Sequence, residues 1–196
     1  MNYSNSPDRH GNLTIWLHWL MMILIIGVFA CIELREFYPK GSDPREALKA
    51  WHFTLGLLVL VLTIARIGVR LAGTTPAIHP EPPRWQQLAG RLTHLLIYAM
   101  LILLPLAGWL ALGAAGKPIP FLGLELPPLL APDKELAGTI KSLHKTAGSA
   151  AYYLLGLHAA AALFHHYVQG DNTLVRMLPK ALMTQPAAPL TTLGGR

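Results

Sequence analysis

His144 and His158 stand fourteen residues apart in one apolar stretch, K-S-L-H-K-T-A-G-S-A-A-Y-Y-L-L-G-L-H. Imidazole is a metal ligand, and two rings at this spacing could serve two separate cofactors. On an α-helix fourteen residues climb about 21 Å. Fourteen is also two heptads, so both rings leave nearly the same helix face. His18, in L-T-I-W-L-H-W-L, and His52, in A-W-H-F-T-L-G, each stand early in an apolar run of their own. If successive runs are antiparallel helices, His18 and His52 lie near opposite ends of a bundle. His52 then shares a depth with His144, and His18 with His158.

Two imidazoles facing each other across a bundle suit the two axial positions of a haem iron. With both positions filled, such a haem favours electron transfer over oxygen binding. Zinc fits less well, because each layer offers two clear ligands where zinc takes three or four. Gly56 follows His52 by four and Gly148 follows His144 by four, each on its histidine's face. A missing side chain there would let a flat macrocycle, or a neighbouring helix, approach the backbone. His94 begins the third run at the depth of His18 and could replace a ligand there. His165, one heptad beyond His158, could hydrogen-bond a quinone carbonyl or a haem propionate, or snorkel to the interface.

Arg66 follows His52 by fourteen residues and so faces inward near the His18/His158 layer. A propionate, a quinone or an acidic lipid could bind it, and simple snorkelling is the alternative. Lys49 and Lys141 precede their layer histidines by three, and Lys145 follows His144. With Arg45 nearby, these lysines could focus a small anion on the His52/His144 layer, or bind lipid headgroups. His10 and His79 fall in loops and are expected to be solvated.

The elements that must hold these residues are set by composition. The 196-residue chain is 53% hydrophobic and 13% charged, with mean hydropathy +0.40. Soluble domains carry about 25% charge, so an integral membrane protein is expected. Apolar runs near residues 13–32, 50–71, 88–112 and 140–168 each reach the roughly 20 residues needed to span a bilayer. They predict an all-α, four-helix transmembrane bundle running up-down-up-down, in one domain over residues 1–180. The proline-rich apolar segment 118–132 reads as a loop over the membrane surface between helices 3 and 4, and 181–196 as a loose tail. The first run is not read as a cleaved signal, since cleavage at Cys31 would discard His18.

Cys31 is the single cysteine, which excludes internal disulfides, iron–sulfur clusters and covalent C-x-x-C-H haem. Any haem is therefore non-covalent. The net charge of +6 is explained by short loops between apolar runs rather than by nucleic-acid binding. Lysines and arginines divide eight against eight between the two sides, so charge counting leaves the orientation open.

The H-W-L at His18, the Y-P at Tyr38, and G-L-H-A-A-A-A-L-F-H-H-Y followed by D-N-T-L-V-R-M-L-P together resemble bacterial cytochrome b561, especially its superoxide-oxidising members. The resemblance covers about residues 10–180. It implies a four-helix bundle in the bacterial inner membrane with two b haems and both termini cytoplasmic. It implies that His18 and His158 hold the cytoplasmic-side haem, and that His52 and His144 hold the periplasmic-side haem. It further implies periplasmic oxidation of superoxide, transfer of the electrons to ubiquinone, and a quinone contact at His165. No obligate protein partner is expected. The alternative is a cytochrome b subunit carrying electrons between quinone and a separate dehydrogenase or hydrogenase, which would use the same histidines.

Overall fold

Each apolar run is longer as a helix than as a run, because polar residues build its first turn. The computed structural model describes residues 9–179, so the tail beyond residue 180 lies outside the described residues. The helices are α1 (Asn12–Leu34), α2 (Asp43–Leu71), α3 (Arg84–Ala114) and α4 (Lys134–Phe164). Helices 2 to 4 thus start before the expected residues 50, 88 and 140. In α2 a proline occupies the first turn, where its missing N–H forfeits no helix bond. In α4 Asp133 caps the start, its carboxylate accepting from the Glu135 and Leu136 amides at 3.0 Å.

All four helices are long and apolar enough to cross a bilayer. Large apolar side chains such as Trp16, Ile23, Ile64, Leu103 and Leu157 remain exposed along them. In water so much exposed apolar surface would drive association; in a bilayer it meets lipid. The chain is a multi-pass membrane protein. Its principal packing is α1 on α2, α2 on α3 and α3 on α4. Helices α1 and α4 meet through Phe29 and Tyr152, whose rings lie 3.9 Å apart, and through Tyr152 Oη donating to Glu33 at 3.0 Å.

One end of the bundle carries a small β-hairpin. Strand β1 (Pro120–Phe121) pairs antiparallel with β2 (Leu124–Glu125). Leu122 and Gly123 turn the chain with φ of 51° and 81°, the positive angles of a two-residue hairpin turn. The segment expected to lie over the membrane surface is in fact pinned to the bundle. Ile119 is 1% exposed and packs with Leu57 and Leu112. Thr54 Oγ1 donates to Pro120 O at 3.3 Å, and Trp109 Nε1 donates to Pro127 O at 3.0 Å.

The opposite end carries the first and last described residues. Helix α4 finishes in a π-helical turn, His165–Gln169, and Gly170 reverses the chain at φ 67°. Residues 171–178 then form a strap beneath the helices. Asn172 exchanges bonds with His79, its N–H donating to His79 O at 3.1 Å and its Oδ1 accepting from His79 N–H at 2.9 Å. Arg176 Nη1 donates to Pro76 O at 2.6 Å, and Trp19 Nε1 donates to Met177 O at 2.8 Å. The Arg9 guanidinium donates to Leu178 O.

Candidate functional site

The two histidine layers form by helix geometry alone. At the hairpin end the His52 and His144 ring centres lie 6.2 Å apart, with planes at 79°. At the strap end the His18 and His158 centres lie 6.3 Å apart, with planes at 75°. A metal–nitrogen bond is about 2.0 Å, and a ring centre sits about 1.1 Å behind its nitrogen, so two imidazoles sharing one iron from opposite sides would stand about 6.2 Å apart. Both pairs fit a haem iron. His94 and His158 stand only 5.3 Å apart, too close for that arrangement.

The hairpin-end layer has its tautomers set by helix carbonyls. His52 Nδ1–H donates to Val28 O at 2.9 Å, and His144 Nδ1–H donates to Leu104 O at 3.0 Å. Each Nε2 is thereby left bare for a metal, the usual second interaction of a ligating imidazole. Among the described residues neither His18 nor His158 makes such a bond. Phe53, Leu57, Trp109, Leu112 and the hairpin-segment residue Ile119 line the space around His52 and His144. Positions Gly56 and Gly148 open onto free space, since a Cβ at either would meet nothing within 4 Å. Between the layers lies an apolar cavity of about 70 Å³ lined by residues of all four helices, among them Ile25, Val59, Leu101 and Leu155.

The other expected site residues divide. Arg66 lies at the strap-end layer, within electrostatic reach of His18 and His158. Its Nε donates to Tyr98 Oη at 3.2 Å. Lys141 and Lys145 are exposed on α4 near His144. Lys49 is bound to Glu46, Nζ to Oε1 at 2.5 Å, so its charge is locally neutralised. The i,i+3 spacing of that pair was visible in the sequence. Arg45 is also committed, donating to the Arg35 and Tyr38 carbonyls and pairing with Glu36 at 3.1 Å. It fixes the α1–α2 turn. His79 is exposed as expected, whereas His10 is drawn in at the strap end.

His165 has a partner the sequence did not suggest. Its Nδ1 lies 2.5 Å from Asp171 Oδ2, and Asp171 Oδ1 accepts the Thr173 amide at 2.8 Å. The π-turn and Gly170 bring this i,i+6 pair together. Burial alone would raise the Asp171 pKa, but the bonds from His165 and Thr173 outweigh it and hold the carboxyl below its ordinary range. A depressed carboxyl stabilises the fold above its unfolded pKa, and that stability is lost as pH falls through the lower folded value. Asp171→Ala should therefore loosen the strap by about 1–3 kcal/mol at neutral pH. Proteolysis between Gly170 and Met177 should quicken, with the difference from the parent chain vanishing in acid. Equal cleavage of both chains at neutral pH would remove the carboxylate from this role.

Four membrane-length helices carrying facing imidazole pairs at two depths define a class, the multi-pass membrane cytochromes. The chain belongs to the prokaryotic cytochrome b561 family, whose pattern matches residues 9–180. Cytochrome b561 homolog 1 of Escherichia coli (strain K12) is 38% identical over 173 residues, 88% of this chain and 98% of that protein. The probable superoxide oxidase CybB of Yersinia pestis is 38% identical over 172 residues, 88% of this chain and 97% of that one. Cytochrome b561 homolog 2 of Escherichia coli (strain K12) is 30% identical over 185 residues, covering 92% and 97%. Haem b and electron transport come with this family.

Proposed function

We propose that this chain is a two-haem membrane cytochrome that oxidises superoxide at its hairpin end and passes the electrons to ubiquinone. The observation that carries the reading is the pair of ring separations, 6.2 and 6.3 Å, at opposite depths of one bundle. Similarity to a probable superoxide oxidase supports the choice of donor. Haem b held by imidazoles would supply one-electron transfer. His52 and His144 would hold and orient one such group, and His18 and His158 the other. The hairpin end then faces the periplasm and the strap end the cytoplasm of a bacterial inner membrane. Two superoxide anions, one quinone and two protons yield two oxygen molecules and one quinol.

The residues around each layer take separate tasks. Lys141 and Lys145, exposed beside His144, draw the superoxide anion toward that layer. Lys49, held by Glu46, contributes less. His165, its ring oriented by Asp171, contacts the quinone. Superoxide turnover should fall several-fold between low and physiological salt, and again in Lys141→Glu and Lys145→Glu. Stopped-flow rates indifferent to both changes would reject steering by these lysines.

The central experiment supplies superoxide to the purified protein in the presence of ubiquinone and follows haem reduction and quinol formation. Quinol at twice the spontaneous rate or more is expected, and none above background would defeat the reading. A second reading, exchange of electrons with a separate dehydrogenase, draws on the exposed Leu122, Leu124 and Leu129 of the hairpin segment, which are 50–68% exposed. Haem reduction by such a partner, with no response to superoxide, would establish it instead.

A further inference from the structure

Three arginines converge on the strap end with little negative charge to meet them. Arg66 donates to Tyr98 Oη and reaches Thr14 O at 3.5 Å. The Arg70 guanidinium stands over the Tyr98 ring, 5.6 Å from its centre. Arg176 arrives from the strap, fixed by its bond to Pro76 O. All three lie within electrostatic reach of both His10 and His94, so they share one region. Among the described residues, the carboxylate that acts on Arg176 is Asp171, and Asp171 is already shared between His165 and Thr173.

Two polar atoms in this region are buried and unused. Arg176 Nε and His10 Nδ1 have no hydrogen-bond partner among the described residues. Leaving a buried cationic donor unmatched is costly, which points to an acceptor that belongs there. Burial, then Arg176, Arg66 and Arg70, push the His10 pKa down to about 4. At neutral pH it is therefore uncharged, with one ring N–H to donate and one nitrogen to accept. Planar guanidinium forks bind carboxylates and phosphates two bonds at a time, so the site is built for a small oxyanion.

The cluster's position selects between those anions. Arg66 reaches both His18 and His158 electrostatically. Trp19, which anchors the strap, has its ring 5.6 Å from that of His18. An anion held here therefore lies beside the strap-end imidazoles. We propose that Arg66, Arg70 and Arg176, with His10 beside them, form a cradle that holds the two propionate carboxylates of the strap-end haem. The cradle rests on the assignment of that haem to His18 and His158.

The test titrates the full-length chain carrying His144→Ala, in which the strap-end layer alone retains both axial rings. It is titrated with haem b and, in parallel, with haem b dimethyl ester, whose carboxylates are blocked. The b-type absorbance reports binding of either form. Haem b should bind at least about tenfold more tightly than the diester. In Arg66→Gln and Arg176→Gln that preference should shrink several-fold while diester binding persists, which also shows that the variants fold. Arg70→Gln, altered at an exposed position, makes the same comparison if a more buried substitution prevents folding. Equal affinity for both forms in the parent, or an undiminished preference in the variants, overturns the cradle. Loss of co-purifying phosphatidylglycerol in the variants, with the haem preference intact, assigns the arginines to a lipid phosphate and overturns it too. A parent that binds neither form removes the His18/His158 assignment, and the cradle with it.

Discussion

His144→Ala is expected to leave the purified protein with half its haem. The pair it breaks has ring centres 6.2 Å apart, and one imidazole cannot fill two axial positions. The loss also frees Leu104 O, to which His144 Nδ1–H donates at 3.0 Å. The second layer lies about 21 Å away along α4, far enough for the two sites to behave independently. The haem-to-protein ratio should fall from about two to about one, and His52→Ala should do the same. His18→Ala and His158→Ala should each remove the other half. His94→Ala should keep both haems, because its 5.3 Å spacing to His158 does not span an iron. Full haem content in His144→Ala would end the layer assignment.

The two layers should also titrate as separate one-electron waves, the strap-end layer at the higher potential. Two features act in the same direction. At the hairpin end both imidazoles donate Nδ1–H to helix carbonyls, which makes them more electron-rich ligands and favours the oxidised metal. At the strap end three arginines favour the reduced one. One uncompensated charge about 10 Å away at an effective dielectric of about 20 contributes roughly 1.5 kcal/mol. For a one-electron couple that is roughly 65 mV. Potentiometric titration should resolve waves at least about 60 mV apart, with Arg66→Gln lowering the upper wave by a similar amount. His158→Ala should delete the upper wave and His144→Ala the lower. Such an order makes electron transfer from hairpin end to strap end downhill. A single wave, or the reverse order, would remove that gradient from the protein's own charges.

The histidine layers were legible because helix periodicity carries them. A fourteen-residue spacing within apolar runs fixes face and depth together, and antiparallel packing pairs His18 with His158 and His52 with His144. Helix starts were less legible: the first turns of α2 and α4 are polar, and a hydropathy reading begins only where the membrane does. The strap was not legible at all. Residues 171–178 have no period, and their bonds run to Pro76, His79 and Trp19, 93 to 158 positions away. Arg176 therefore joins the site through a fold-back that no local pattern announces, and half-buried His10 comes within electrostatic reach of Arg66, Arg70 and Arg176, all remote in sequence. The expected inward position of Arg66 holds because its fourteen-residue offset from His52 obeys the same helical rule.

The two ends of the bundle are closed by segments from very different parts of the chain, and this sets an order of biosynthesis. The hairpin segment sits between α3 and α4, so it has already been synthesised when His144 arrives to complete its layer. The strap follows α4, and its contacts to Trp19, Pro76 and His79 await translation through Met177. A nascent chain halted after α4 holds all four histidines of the two layers, yet lacks Arg176 and the strap beside the second layer. Synthesis accordingly completes the hairpin-end histidine layer first and brings in the strap that covers the other layer last.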